Sequence, residues 1–413
     1  MIENFEAKLK EYAHLLVEIG MNLQPGQTPR IAGAVDCAPL VRLCVQAALE
    51  AGARDVIVDW TDDFVTRQRY LHADKAVFSE FPSYLQAKFD YLTDHSNPVL
   101  SIDSSDPELL KGVDSQRIQN WRRTAGTATR PYYDAMTAGK FQWTIGAHPT
   151  AAWAQKVFPE QSAADAIDSL WNAIFATCRI SGDGTAVARW REHVDTCARR
   201  CKTLNDYNFK ALHYQNALGT DLTVTLPEHH IWCGGSELNA DGVEFVANMP
   251  TEEVFTAPQW NGVNGRVYAA LPLALDGNLI ENFYLDFEKG KIVDVHAEKG
   301  EEYLRSAISV DEGASFLGEV ALVPYDSPIR STGILFYNTL FDENASCHLA
   351  FGSAYPNCVK GGEALDAQGQ KALGLNQSIT HVDFMVGTQD LSITGITHDG
   401  KEIPVFVDGN FAF

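Results

Sequence analysis

Between Pro29 and Asp59 the chain is patterned strand, helix, strand, and that order restricts the folds open to it more than any other stretch. Pro29–Val35 (PRIAGAV) has the length and apolar content of a strand. Pro39–Glu50 carries helical periodicity and stops at Gly52, and Asp55–Asp59 (DVIVD) is the β-branched run of a buried strand. Two strands joined through a helix run parallel, which implies a parallel sheet covered by helices. No Gly-x-Gly-x-x-Gly lies between strand and helix, so a dinucleotide site is not supported. The pattern extends on both sides. Phe5, Leu9, Tyr12, Leu16 and Ile19 form the apolar stripe of an opening helix that ends at Gly20. Phe78–Leu92 is predicted as a helix, Pro98–Asp103 and Phe141–Gly146 as strands, and Trp153–Cys178 as mostly helical. The Asp-Ser-Ser-Asp-Pro run at 103–107 is predicted as a loop and helix cap. Acids at these strand ends are assigned to capping and turns in preference to ligand binding.

The composition changes near Ser181–Gly184, and a chain of 413 residues is long enough for two domains. The expected division is an N-terminal α/β domain, residues 1–184, with a largely parallel sheet, and a C-terminal domain, residues 185–413. After a helix from Ala186 to about Asn205, the second half breaks into short alternating runs: Ala211–Gln215, Asp221–Leu226, Arg266–Leu271, Asn282–Glu288 and Lys291–Ala297. Asn264-Gly265 and Asp276-Gly277 are assigned as turns between them. The fold class is therefore α/β, with a mixed α+β second domain rich in antiparallel strands. A formal net charge of −22, from 54 acidic and 32 basic residues, argues against nucleic-acid or anionic-membrane partners. The eight scattered cysteines include no Cys-x-x-Cys and suit reduced thiols. The N-terminal stretch lacks the h-region of a signal peptide, and no apolar span is long enough for a membrane helix, so a cytoplasmic location is expected.

The chemistry concentrates in the second half. Phe336–Pro356 (FYNTLFDENASCHLAFGSAYP) holds Asp342, Glu343, Asn344, His348 and Tyr355, and His381-Val-Asp383 follows. Residues two apart on a strand share a face, so His381 and Asp383 can aim at one point, as a divalent metal requires. Glu319 heads the apolar run Gly318–Pro324, where a carboxylate needs a cationic partner or a metal. In Thr251–Thr256 strand alternation lets only one of Glu252 and Glu253 face a given cavity. Glu253, Glu319, His348, His381 and Asp383 make a set of three carboxylates and two imidazoles, suited to two divalent ions with a bridging carboxylate. Cys347, next to His348, is expected to point away.

NMPTEEVFTAP at Asn248–Pro258, FLGEVALVP at Phe316–Pro324, the Phe336–Pro356 block and THVDFMVG at Thr380–Gly387 together resemble the M29 aminopeptidases, the thermophilic aminopeptidase T family of metallopeptidases. With ALGTDLTVTLP at Ala217–Pro227 the resemblance covers essentially the whole second half. It implies metal ligands at Glu253, Glu319, His348, His381 and Asp383, and an active-site tyrosine at Tyr355. It also implies a two-domain fold, a homodimer, and activation by divalent cobalt, zinc or magnesium; the residues themselves also suit manganese. The expected activity is removal of the N-terminal residue from short peptides with a free N-terminus, by water activated between two ions. Glu319 is taken as the bridging catalytic carboxylate and Tyr355 as hydrogen-bond donor to the oxyanion. No general base is assigned; Glu252 qualifies only by adjacency.

Two rivals are considered. A mononuclear non-haem iron ring-cleaving dioxygenase on the same scaffold needs only two histidines and a carboxylate. A non-catalytic peptide-binding protein would be marked by lost ligands, and none is lost. His229-His230 diverge on a strand and are discounted. Trp121-Arg122-Arg123 is expected to supply an internal ion-pair partner. Asp342 and Glu343 are expected either to orient His348 or to anchor their loop, with Asn338 and Asn344 in similar roles.

Overall fold

Four strands form the parallel sheet that the Pro29–Asp59 pattern predicts. The computed structural model describes every residue except Met1, Ser105, Pro107, Asp276 and Gly277. The chain divides into two compact units, one of Met1–Arg191 with Ser236–Met249, the other of Glu192–Gly235 with Pro250–Phe413.

In the first unit, β1 (Arg30–Ala34), β2 (Ile57–Thr61), β3 (Val99–Asp103) and β4 (Trp143–Ala147) lie in the order β2-β1-β3-β4, all parallel. Because β2 is an edge strand, it is half-buried to exposed, against the expectation of a buried strand. Its Asp59 faces Lys88 Nζ at 2.8 Å and Arg30. The opening helix, Phe5–Leu15, runs on through a π turn to Gly20. It is fixed to β4 by the buried Tyr12 hydroxyl, which accepts from Ala147 N at 2.8 Å. Glu11 on the same helix accepts from Gly182 N and Ala186 N, capping the helix Ala186–Tyr207.

Several helices differ from expectation for local reasons. The Trp153–Cys178 stretch splits into Ala151–Val157 and Ala163–Thr177, because Pro159 cannot continue a helix and the Ser162 hydroxyl caps the second. A 3-10 turn at Lys75–Phe78 precedes the helix Ser83–Asp94, which Pro82 introduces. Asp62 caps a further helix, Asp63–His72. The helix Ser115–Thr137 carries Trp121, which stacks on Phe81 under the Arg69 guanidinium at 4.0 Å. Arg122 and Arg123 are exposed on this helix, not internal ion-pair partners: its polar face turns them to solvent.

Among the described residues, the second unit holds two antiparallel sheets. The larger has nine strands and includes Ala211–Gln215, Asp221–Thr225, Val263–Tyr268, Asn278–Glu288 and Ser392–Ile396. Asn264-Gly265 is not a turn. The pair lies inside the strand Val263–Tyr268, opposite Thr223 and Leu222, where Gly265 takes φ +112° and a Cβ would run into the Asp221 carbonyl. The Asp276-Gly277 turn lies outside the described residues. The smaller sheet runs in the order His381–Met385, His348–Gly352, Leu317–Leu322, Val254–Thr256, Cys233–Gly234. One of its faces, with Val320, Leu349, Phe351 and Phe384, joins the buried cluster of Leu212, Tyr214, Leu222, Val224 and Phe283 from the larger sheet. All eight cysteines are free thiols, and no helix among the described residues is long and apolar enough to cross a membrane.

Candidate metal centre

Strand register puts the chemistry on the other face of the smaller sheet. Val320, Leu349 and Phe384 are aligned across three strands on the core side. One residue away, Glu319, Ala350 and Asp383 are aligned on the opposite side, as alternation requires. His348 lies opposite Ala321, and His381 opposite Gly352, on that same face. Phe255 pairs with Ala321, so Glu253, two residues earlier, also faces this side. The residues beneath and between these five are Ala321, Ala350 and Gly352, small enough to leave room above the sheet. A bulge between Leu317 and Glu319 turns the carboxylate into place. Gly318 permits it, since a Cβ there would collide with the carbonyls of Gly352 and Ser353.

The five side chains form two groups of donors, Glu253 with Glu319 and His348, and Glu319 with His381 and Asp383; within each, ligand atoms lie within 4.8 Å of one another. Glu319 is common to both. Its Oε1 is 3.9 Å from His348 Nε2 and its Oε2 is 3.1 Å from His381 Nε2. Glu253 Oε2 is 3.0 Å from His348 Nε2, and Asp383 Oδ1 is 3.3 Å from His381 Nε2. Metal bonds of about 2.0–2.2 Å set neighbouring donors of a tetrahedral ion about 3.3–3.6 Å apart, so these spacings fit a divalent cation in each group. The imidazoles are oriented by backbone, not by acids: His348 Nδ1 donates to Ser346 O at 3.1 Å, and His381 Nδ1 to Ser353 O at 2.8 Å. A carbonyl only accepts, so the proton is held on Nδ1 and Nε2 is presented to the centre. No sequence signal identifies these partners, because a backbone carbonyl is common to every residue.

Electrostatics describe a centre short of positive charge. Burial disfavours the charged form of His348, but the hydrogen bond and charge of Glu253 outweigh it and lift its pKa to about 10. Burial likewise opposes His381, and Asp383 with Glu319 lifts it to about 11. Burial pushes the Glu319 carboxyl up against the hydrogen bond from His381, and the charges of Asp383 and Glu253 add to the rise. Asp383 stays low: its bond from His381 overcomes the effect of burial. Without a metal, the two imidazoles must hold protons to keep the carboxylates together, the state that divalent cations would replace.

The neighbouring residues sort by their contacts. Tyr355 is half exposed, with its ring centroid 5.1 Å from that of His381 and 5.9 Å from that of Phe255. Burial of its hydroxyl end and the charges of Glu319 and Asp383 raise its pKa, so it stays a protonated donor. Asp342 accepts from Phe336 N at 2.7 Å and Asn338 N at 3.0 Å: it anchors the loop and does not orient His348. Asn344, fully buried, accepts from Glu252 N at 2.8 Å and donates to Leu340 O at 3.1 Å. It thereby ties the Glu253 strand to the loop before His348. Glu252 turns away, its Oε2 3.7 Å from His193 Nε2. Cys347 faces the opposite side and donates to Val323 O. His229 is exposed, whereas His230 is buried and bonds Pro227 O through Nδ1 at 2.8 Å; neither enters the centre. A cleft opens beside the donors, lined by Leu273, Tyr337, Asn338, Glu343, Asp383 and Met385 among others.

Residues 5–411 match the family described as thermophilic metalloprotease (M29). The chain belongs to that family. It is 47% identical over 412 residues to aminopeptidase AmpS of Bacillus subtilis, covering 100% of both chains. It is 37% identical over 410 residues to aminopeptidase T of Thermus aquaticus, covering 99% of this chain and 100% of the relative. Its fold matches the solved structure of wild-type AmpT from Thermus thermophilus with a TM-score of 0.91 at 37% identity, over 99% of this chain and 100% of that one. A dihydroxypyridine dioxygenase of Pseudomonas putida shares the fold more loosely, with a TM-score of 0.55 at 13% identity over 100% of this chain and 98% of that one. That likeness shows a common scaffold and nothing about the reaction.

Proposed function

We infer that this M29 metalloprotease is an aminopeptidase that removes the N-terminal residue of short peptides, using two divalent ions held by five side chains and sharing Glu319. The observation that carries the two-ion proposal is the division of the Glu319 carboxylate, one oxygen toward His348 and the other toward His381. A mononuclear dioxygenase site needs only one such group, and a second group completed by Glu253 and His348 has no role in it. The names of the relatives support the aminopeptidase activity.

The Glu253, Glu319 and His348 group would hold one ion, and Glu319, His381 and Asp383 the other. When bound, such a pair supplies Lewis acidity and lowers the pKa of a water toward neutrality. The protein's own groups do the rest. Ser346 and Ser353 carbonyls hold the imidazole protons on Nδ1, so both Nε2 atoms stay available. Tyr355 remains protonated and offers a hydrogen bond to the oxygen of the scissile carbonyl as charge develops there. Carboxylates in the cleft favour a substrate bearing a free α-ammonium group over an internal stretch of chain.

The test is hydrolysis of aminoacyl-p-nitroanilides before and after exhaustive chelation, then after return of zinc, cobalt, manganese or magnesium. Activity lost with the metal and regained with it is expected. Full activity after chelation contradicts the assignment.

A further inference from the structure

Of the eight free thiols, only Cys233 is not buried. It lies on the outermost strand of the smaller sheet, opposite Phe255. The chain just before it makes a second antiparallel contact. His230 bridges Val359, Ile231 N donates to Cys358 O at 2.7 Å, and Lys360 N donates to His229 O at 3.0 Å. Ile231 therefore stands opposite Cys358, and Cys233, two residues on, is the diagonal neighbour of Cys358 on the same face. The two side chains share a hydrogen bond, and burial, with Cys233 adding to it, keeps the Cys358 thiol protonated. Cys358 is buried and ends the 3-10 turn Pro356–Cys358, which follows directly on Tyr355. Its N–H donates to Tyr355 O at 3.1 Å. The thiol pair thus connects the strand beside Glu253 to the tyrosine that faces His381. Gly234 brings that strand into close contact, since a Cβ there would collide with Glu253 O.

We propose that Cys233 and Cys358 form a reversible disulfide on exposure to hydrogen peroxide, and that closing it displaces Tyr355 and lowers turnover. The link itself stands on the two thiols; its effect on turnover rests on the aminopeptidase reading above. The Cys233 sulfur bonds to one peroxide oxygen, the O–O bond breaks, and the other oxygen leaves as water with the thiol proton, giving a sulfenic acid. The Cys358 sulfur then bonds to the Cys233 sulfur, the S–O bond breaks, and the hydroxyl leaves with the Cys358 proton as a second water. Each sulfur is oxidised by one electron, and the two peroxide oxygens are reduced. Diagonal neighbours of an antiparallel pair stand about 7–8 Å apart, whereas a relaxed disulfide spans about 4.4–6.8 Å between Cα atoms. One side has to move. Cys233 is held by its pairing with Phe255 and by the contact of Gly234 with Glu253, so the turn moves and takes the Tyr355 carbonyl with it. A catalytic group misplaced by about 1 Å can cost about 10²-fold in rate.

Reduced, zinc-loaded wild type is treated with hydrogen peroxide, and half of it is then reduced with dithiothreitol, desalted and reloaded. Each sample is read by peptide mapping of disulfides, by zinc bound per chain, and by kcat on leucyl-p-nitroanilide. The peroxide-treated enzyme should yield a linked Cys233–Cys358 peptide pair, retain its zinc and lose about tenfold or more in kcat. Dithiothreitol should remove the link and restore the rate. Cys233→Ser should turn over as the reduced wild type does and keep that rate through peroxide. If it does not fold, Cys358→Ser takes its place with the same expectations. Absence of the linked pair overturns the proposal, as does a link from Cys233 to the nearby Cys201. So does a Cys233–Cys358 link at unchanged kcat, or a serine variant that peroxide slows as much as wild type. Failure of the underlying reading shows separately, as a reduced and loaded wild type that does not cleave the substrate. The effect on turnover then falls with it, and the peptide map still decides the link.

Discussion

Replacing Glu319 by Gln separates a shared carboxylate from an ordinary ligand. The residue is 4% exposed in a fully buried strand, and glutamine keeps its shape, so the apo fold should survive. Asp383 and Glu253 repel the Glu319 charge, which makes the metal-free variant at least as stable as its parent. The metal-bound states differ sharply. Each donor group loses one of its three donors at the same time. Mutating an outer hydrogen-bond partner of a metal ligand already weakens binding about 10–100-fold, so removing a charged ligand should weaken each ion by about 100-fold or more. At free metal 1,000 times the wild-type Kd, each ion stabilises the native state by about 4.1 kcal/mol, or about 8 kcal/mol for two; a 100-fold loss at both leaves about 3 kcal/mol. Urea unfolding of apo and loaded forms of both proteins measures this difference. If loading stabilises E319Q as much as wild type, Glu319 binds no metal. If exactly one ion weakens while the other keeps its affinity, Glu319 serves a single site and the sharing is refuted.

Three further outcomes follow from the same contacts. Tyr355→Phe should retain its metal and lower kcat by about 10²–10³-fold, as loss of one oxyanion donor does, with metal analysis beside steady-state kinetics as the check. Asn344→Ala leaves the buried N–H of Glu252 without its acceptor, which should cost about 1–3 kcal/mol in urea unfolding and weaken metal binding chiefly in the Glu253–His348 group. In the metal-free protein His348 and His381 have pKa values raised to about 10 and about 11, above the unfolded value of about 6.5. Their contribution to stability is complete below about pH 6.5 and is lost as pH rises through the folded values. The urea midpoint of the apo form should therefore be lower at pH 9.5 than at pH 7, and an unchanged or higher midpoint would refute the proton-clamped centre.

The shared face of the donor side chains was legible in the sequence because alternation makes a testable statement at each strand. That His381 and Asp383 share a face, and that only one of Glu252 and Glu253 can enter the cavity, follow from period two; the choice of Glu253 comes from the resemblance to the M29 family, and the contacts agree with both. The parallel order of the first unit was legible for a similar reason, since a helix between two strands leaves little choice. What was hidden depends on partners distant in sequence. Gly265 looks like a turn residue until the Asp221 carbonyl approaches it from the next strand. The edge position of Ile57–Thr61 is set by which strands follow it, not by its own apolar run. The helix Ser115–Thr137 escaped because only Thr129 and Tyr132 of its residues are buried, too few for an apolar stripe, and Pro131, which the helix carries inside it, reads in the sequence as a stop. The roles of Asp342 and Glu343 could not be separated by adjacency. Only the backbone N–H groups of Phe336 and Asn338, which donate to Asp342, distinguish that loop anchor from its neighbour Glu343.

An anomalous-scattering map of crystals grown with zinc or cobalt tests the centre most directly. It should show two peaks per chain, one bounded by Glu253, Glu319 and His348 and the other by Glu319, His381 and Asp383, with the Glu319 carboxylate touching both. A single peak, or two peaks of which only one contacts Glu319, would contradict it.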